Sequence, residues 1–115
     1  MSAAIIANLE KMIGGPRDGA LLRYSLGNEL LKAGEPAAAA VRFREAIEKD
    51  ANYSAAWKLL GKALAEAGDL PAALAAYQQG TTIAEARGDI QAAKEMTVFA
   101  RRLEKTISSD QSPPG

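Results

Sequence analysis

Lys58 and Lys62 lie four residues apart in a stretch of helical periodicity, so both ammonium groups leave one face, one turn apart. Such a pair can hold a carboxylate through charge-assisted hydrogen bonds. On a solvated face the same pair needs no ligand. Glu45 and Glu48 are also a turn apart, beside Arg42, Arg44 and Lys49. They read as ordinary surface ion pairs worth about 0.5 kcal/mol or less each. Lys94, Arg101 and Lys105 line up with Val98 on the polar side of the last helical stretch. That row either extends a basic groove or keeps a terminal helix soluble.

Chemistry beyond binding has little to work with. The chain has 115 residues with no histidine and no cysteine, which removes the commonest general acid–base, the thiol nucleophile and disulfides. No phosphate-binding loop, dinucleotide fingerprint or metal-spaced carboxylate pair is present. The expectation is a non-enzyme with no cofactor and no metal. Lys+Arg and Asp+Glu number 14 each, so the net charge is zero and the basic stripe of a nucleic-acid binder is missing. No apolar run approaches the roughly 20 residues of a membrane span. The start, MSAAIIANLEKMIGG, has no basic stretch before its apolar residues and reads as a helix rather than a leader. A cytoplasmic protein that touches neither nucleic acid nor membrane is expected.

The elements that position these residues show themselves by repetition. Tyr24-Ser25-Leu26-Gly27 recurs 34 residues later as Lys58-Leu59-Leu60-Gly61, and Ala33-Gly34-Glu35 as Ala67-Gly68-Asp69. Ala39 recurs as Ala73 and Phe43 as Tyr77. A fixed period of this length marks stacked helical units, which build curved binding surfaces rather than reaction pockets. Alanine makes up roughly a fifth of the chain. That composition favours helices and close packing between them.

The spacing predicts six helices, no strands and antiparallel neighbours. Residues 3–13 place Ile5, Ile6, Leu9, Met12 and Ile13 on one face, and Gly14-Gly15-Pro16 ends that helix. Asp18 is expected to cap a second helix running to Ala33, with Leu22, Leu26, Gly27 and Leu30 inward. Pro36 opens a third, to Lys49. Asn52 is expected to cap a fourth, to Ala67, burying Trp57, Leu60, Gly61 and Leu64. Asp69 caps a fifth, which carries Leu70, Ala73, Leu74 and Tyr77 and has no stop before Gly88. Asp89 starts a last helix to Ile107, with Ile90, Ala93, Met96, Ala100, Leu103 and Ile107 inward. Residues 108–115 read as a disordered tail. Two units are fewer than the three or so needed for a continuous core, so the helices at 3–13 and 89–107 must cover their open faces.

Units 20–53 and 54–87 resemble tetratricopeptide repeats. Trp57, Leu60, Gly61, Leu64, Ala73 and Tyr77 carry the resemblance in the second unit, and Leu26, Gly27, Leu30, Ala39, Phe43 and Ala46 in the first. Arg23 departs from the large apolar residue usual there, and Gly80 from the usual alanine. Ala51 and Glu85 stand where a proline is common. The resemblance implies an all-α, antiparallel helical-hairpin solenoid in a single domain over 1–107, acting as a protein–protein interaction module. It also implies that the first helix of each unit lines a concave face. Helical spacing then picks out Leu21, Tyr24, Asn28 and Leu31, followed by Ala55, Lys58, Lys62 and Ala65. Family members that grip a C-terminal carboxylate use Lys and Asn at such places, which Asn28, Lys58 and Lys62 match. Tyr24 departs, and a complete third repeat is missing. The expected partner is a protein or peptide, with an acidic segment or a terminal carboxylate. The row Leu21, Tyr24 and Leu31 is either an exposed apolar patch or covered by a flanking helix. The competing reading is a self-associating homodimer that stacks through exposed ends.

Overall fold

The computed structural model describes residues 2–111. Six helices follow one another: α1 (Ser2–Glu10), α2 (Ala20–Lys32), α3 (Pro36–Lys49), α4 (Ser54–Glu66), α5 (Leu70–Arg87) and α6 (Ile90–Gln111). No strand occurs among the described residues.

The turn chemistry repeats with the sequence. After α2, α4 and α5, Gly34, Gly68 and Gly88 take φ of 78°, 90° and 79°. A side chain there would be strained, which is why each helix stops at glycine. The residue after each glycine donates its N–H five residues back, Glu35 to Leu30, Asp69 to Leu64 and Asp89 to Ala84, at 3.0, 2.9 and 2.8 Å. These bonds satisfy carbonyls that the helix ends leave orphaned. Asp69 then caps α5 through the Ala72 N–H at 3.2 Å, and Asp89 caps α6 through the Ala92 N–H at 3.3 Å.

Two expected caps are not caps. The residue before α2 is Gly19, with no side-chain cap bond. Asp18 instead accepts from the Gly14 N–H and from Arg23. Tyr53 precedes α4, again without a side-chain cap. The Asn52 carbonyl accepts a hydrogen bond from the Arg87 guanidinium. Both ends also shift. Regular α-helix in α1 stops at Glu10, and Met12 and Ile13 bond three residues back in tighter turns. Helix α6 continues through Ser108 to Gln111, so that part of the expected tail is helical; the rest of it, 112–115, lies outside the described residues.

Each helix packs on the next in chain order, α2 also touches α4, and α4 touches α6. The result is an elongated stack of 55 × 32 × 20 Å. Two buried clusters fill it. One is built on Leu26, Leu30, Ala39, Phe43, Leu60 and Ala63, the other on Tyr77, Ala84, Ala93, Met96 and Ala100. Close approach is the organising device. A Cβ on Gly27 would meet the Phe43 ring at 2.7 Å, and one on Gly61 would meet the Tyr77 ring at 2.5 Å. The same test explains Gly80, where a Cβ would meet Trp57 Cβ at 2.7 Å and Met96 Sδ at 2.6 Å.

The flanking helices cover the ends only in part. Ile6, Leu9 and Ile13 pack on the first cluster, while Ile5 and Met12 stay exposed. In α6, Ala93, Met96 and Ala100 are buried and Leu103 packs beside them, but Ile90 is 53% exposed. Leu22, Leu26, Gly27 and Leu30 are all buried as expected.

Arg23 departs from the pattern because it is an ion-pair centre. Its Nε and Nη2 donate to the two Asp18 carboxylate oxygens at 2.8 and 2.7 Å, and its Nη1 donates to Glu45 at 2.9 Å. Arg42 donates to the same Glu45 oxygen at 3.0 Å. A fork of donors suits a carboxylate better than a point charge does. Glu45 is therefore tied to α2 and is not the ordinary surface acid its sequence neighbours imply. At the equivalent place in the second unit, Trp57 donates its ring N–H to the Ala51 carbonyl at 2.9 Å. Both residues pin the loop before their own helix, one by charge and one by a neutral bond.

Candidate functional site

Helices α2, α4 and α6 stand side by side, and a hollow of about 460 Å³ opens between α4 and α6. Lys58, Leu59 and Lys62 come from α4, Tyr77 from α5, and Glu95 and Phe99 from α6. The small residue Gly61 lets the Tyr77 ring reach across from α5 beneath α4. Phe99 then tilts against that ring, with centroids 5.4 Å apart. Apolar walls carrying a few convergent polar groups are the usual make-up of a recognition site.

The charges are not equivalent. Lys58 Nζ donates to Glu95 Oε2 at 2.8 Å, and Gln91 donates to the other Glu95 oxygen at 3.1 Å. The Lys58 hydrogen bond, followed by that of Gln91, holds the Glu95 carboxyl below the usual carboxylate range. Lys62 is exposed and has no acidic partner among the described residues. Burial, and to a smaller extent the charge of Glu66, pushes the Tyr77 hydroxyl up to about 12, so it is a neutral donor at ordinary pH.

Of the six residues expected on the concave face, the hollow brings together Lys58 and Lys62 alone. Tyr24 stacks on Tyr53, with centroids 4.9 Å apart, and tilts against Phe43 at 5.9 Å. Leu31 is half-buried against the first core cluster. Leu21 is 67% exposed, so the three do not form one apolar row. Asn28 is half-buried, and its side chain makes no hydrogen bond among the described residues.

Sequence reasoning missed Leu59, Glu95 and Phe99, and took Tyr77 as core alone. The signal was helix phase. Helix α6 starts 36 residues after α4, at Ile90 against Ser54, two more than the repeat period, because α5 is four residues longer than α3 while the connection after it is two residues shorter. Counted that way, Lys94, Val98 and Arg101 repeat the places of Lys58, Lys62 and Ala65. They face the next groove along, and with Ile90, Ala93 and Thr97 they line the open end of the stack. Glu95 and Phe99 are the residues that look back at α4.

The repeat geometry, the glycine–ring contacts and the hairpin order agree with comparisons to known proteins. The tetratricopeptide repeat family profile matches residues 24–90. The chain belongs to the tetratricopeptide repeat family. This tetratricopeptide repeat chain is 50% identical over 101 residues to the TPR repeat-containing protein PA0015 of Pseudomonas aeruginosa, covering 88% of this chain and 96% of that one. The solution structure of protein BPP2914 from Bordetella parapertussis is similar at a TM-score of 0.77 and 40% identity, over 89% of each chain. A tetratricopeptide repeat domain protein from Salinibacter ruber reaches a TM-score of 0.70 at 26% identity, over 76% of this chain and 89% of that one. MamA, at a TM-score of 0.65 and 20% identity over 94% of this chain and 71% of that one, shares the fold. Membership supports a general role in protein–protein interaction or scaffolding. Among the described residues no helix is long and apolar enough to cross a membrane, and no group of His, Cys, Asp and Glu is placed to hold a metal ion.

Proposed function

We propose that this tetratricopeptide repeat protein binds a short segment of a partner protein on its concave side, centred on the hollow between α4 and α6, and performs no reaction of its own. The observation that carries the reading is the hollow's composition: apolar walls from Leu59 and Phe99 beside the unpaired ammonium of Lys62. That combination favours a segment with acidic character. Leu21, Tyr24, Asn28 and Leu31 contribute packing on the adjoining stretch of the face rather than direct capture. The groove is only three helices wide, so affinity from this face alone is modest. The test is capture of partners from the native host with the wild-type chain and with Lys62→Glu. Loss of specific partners in the variant supports the reading, and an unchanged set removes it.

A second reading, a homodimer, is favoured by Ile90 and Val98, 53% and 44% exposed at the open end of α6. Sedimentation across concentration separates the two. A dimer that Val98→Glu dissociates supports self-association, and a monomer throughout removes it.

A further inference from the structure

We infer that the hollow between α4 and α6 is a two-part pocket for one large apolar side chain and one adjacent carboxylate within a partner segment, the carboxylate being met by Lys62 and the Tyr77 hydroxyl. The inference rests on the concave-face reading and adds the chemistry of the occupant.

Three observations carry it. The first is Tyr77. Only 5% of it is exposed, and its ring fills the same place against Gly61 that the Phe43 ring fills against Gly27. Phe43 does this fully buried and with no hydroxyl, so packing does not call for the oxygen. Every fully occluded side-chain oxygen and nitrogen among the described residues has a hydrogen-bond partner, and the Tyr77 hydroxyl has none. It therefore keeps contact with solvent, and Tyr77 reaches solvent at the hollow. A hydroxyl that meets water at a largely apolar wall can exchange that water for a ligand carboxylate, which accepts a stronger, charge-assisted hydrogen bond.

The second observation is the charge balance. Glu95 already neutralises Lys58, which leaves Lys62 as the uncompensated cation of the lining. One carboxylate is welcome, and a second must face Glu95, where like charges repel. A C-terminal acidic residue brings two carboxylates together and fits poorly. A single acidic side chain inside a segment fits. The third observation is the wall: Leu59, the Tyr77 ring and Phe99 present a largely apolar surface. Burying a large apolar side chain there supplies the non-polar part of the affinity.

The experiment is an NMR titration of the isotope-labelled full chain with short peptides blocked at both ends and carrying a central Phe-Asp, Phe-Asn or Ala-Asp pair. A fourth peptide carries Asp-Asp at a free C-terminus. The Phe-Asp peptide should shift the amides of Lys62, Tyr77 and Phe99 and bind at least about threefold more tightly than the other three. Tyr77→Phe should weaken it about five- to tenfold, the size of one net hydrogen bond made at a solvent-accessible site, while the unfolding midpoint stays within about 2 °C of wild type. Four results overturn the inference: equal binding to Tyr77→Phe, equal binding of Phe-Asn, a preference for the free acidic terminus, or no shifts at about 5 mM peptide, where even a millimolar site is mostly filled. If host partners remain sensitive to Lys62→Glu while the peptides fail, the pocket chemistry is wrong and the concave-face reading stands. If host partners ignore Lys62→Glu, the underlying reading fails as well.

Discussion

Lys58 Nζ on α4 lies 2.8 Å from Glu95 Oε2 on α6, so one of the two concave lysines already holds a carboxylate from its own chain. The pair spans two helices that otherwise touch only lightly, and both side chains are about one-third exposed. Solvent screens such a pair, so its effect on stability is small while its effect on charge in the groove is direct.

Glu95→Gln therefore separates stability from recognition. The thermal midpoint should stay close to wild type. Affinity for an acidic segment should rise, by about three- to tenfold at low salt, because Lys58 becomes available. Calorimetric titration at two salt concentrations checks it. Equal affinity in variant and wild type would mean that Lys58 and Glu95 do not compete with the ligand.

Gly27→Ala and Gly61→Ala test the close packing. Replacing an interior helical glycine by alanine on its own favours the helix by about 1 kcal/mol. Here the new methyl meets the Phe43 ring at 2.7 Å or the Tyr77 ring at 2.5 Å, and both rings are buried with little room to move. Overpacking of this kind costs about 1–3 kcal/mol and outweighs the helix gain. Urea denaturation should show both variants less stable than wild type. A stabilised Gly61→Ala would mean that the ring contact is looser than described.

The Arg23 centre predicts an acid-sensitive fold. The Arg23 fork, aided by the Gly14 N–H, holds the Asp18 carboxyl well below the usual range. Burial raises Glu45, but Arg42 and Arg23 more than offset it, and the net shift is down. A carboxylate lowered in the folded state stabilises fully above its unfolded value of about 4 and loses that contribution as pH falls further. Stability should drop steadily below about pH 4. Arg23→Gln should lower stability at neutral pH and flatten that acid limb, whereas Lys32→Gln, which removes an exposed pair at 3.6 Å, should do neither. Denaturation midpoints across pH give the comparison. A limb of the same steepness in Arg23→Gln contradicts this account.

The repeat was legible because its signals are local. Gly34 and Gly68 mark helix ends wherever they occur, and Gly27 and Gly61 pair with an aromatic ring sixteen residues on in each unit. What escaped depended on partners far along the chain. Asp18 has the composition of a cap, but an arginine five residues on claims it, and the helix start offers nothing as strong. Glu95 and Phe99 became groove residues because a longer α5, partly offset by a shorter connection, starts α6 two residues later than the repeat period. Ser108 to Gln111 look like tail by composition, yet they extend a helix already nucleated and packed.

The central claim is that partners are held on the concave side, between α4 and α6. A photo-reactive residue placed in turn at Ala55 and Ala65, on the face of α4 that carries Lys58 and Lys62, and at Gln79 and Thr82 on α5, away from the hollow, reports this directly in the native host while leaving Lys62 and Phe99 in place. The account predicts specific crosslinked products from positions 55 and 65, lost when excess Phe-Asp peptide competes, and background levels from 79 and 82. Crosslinking from 79 and 82 with none from 55 and 65 would contradict it.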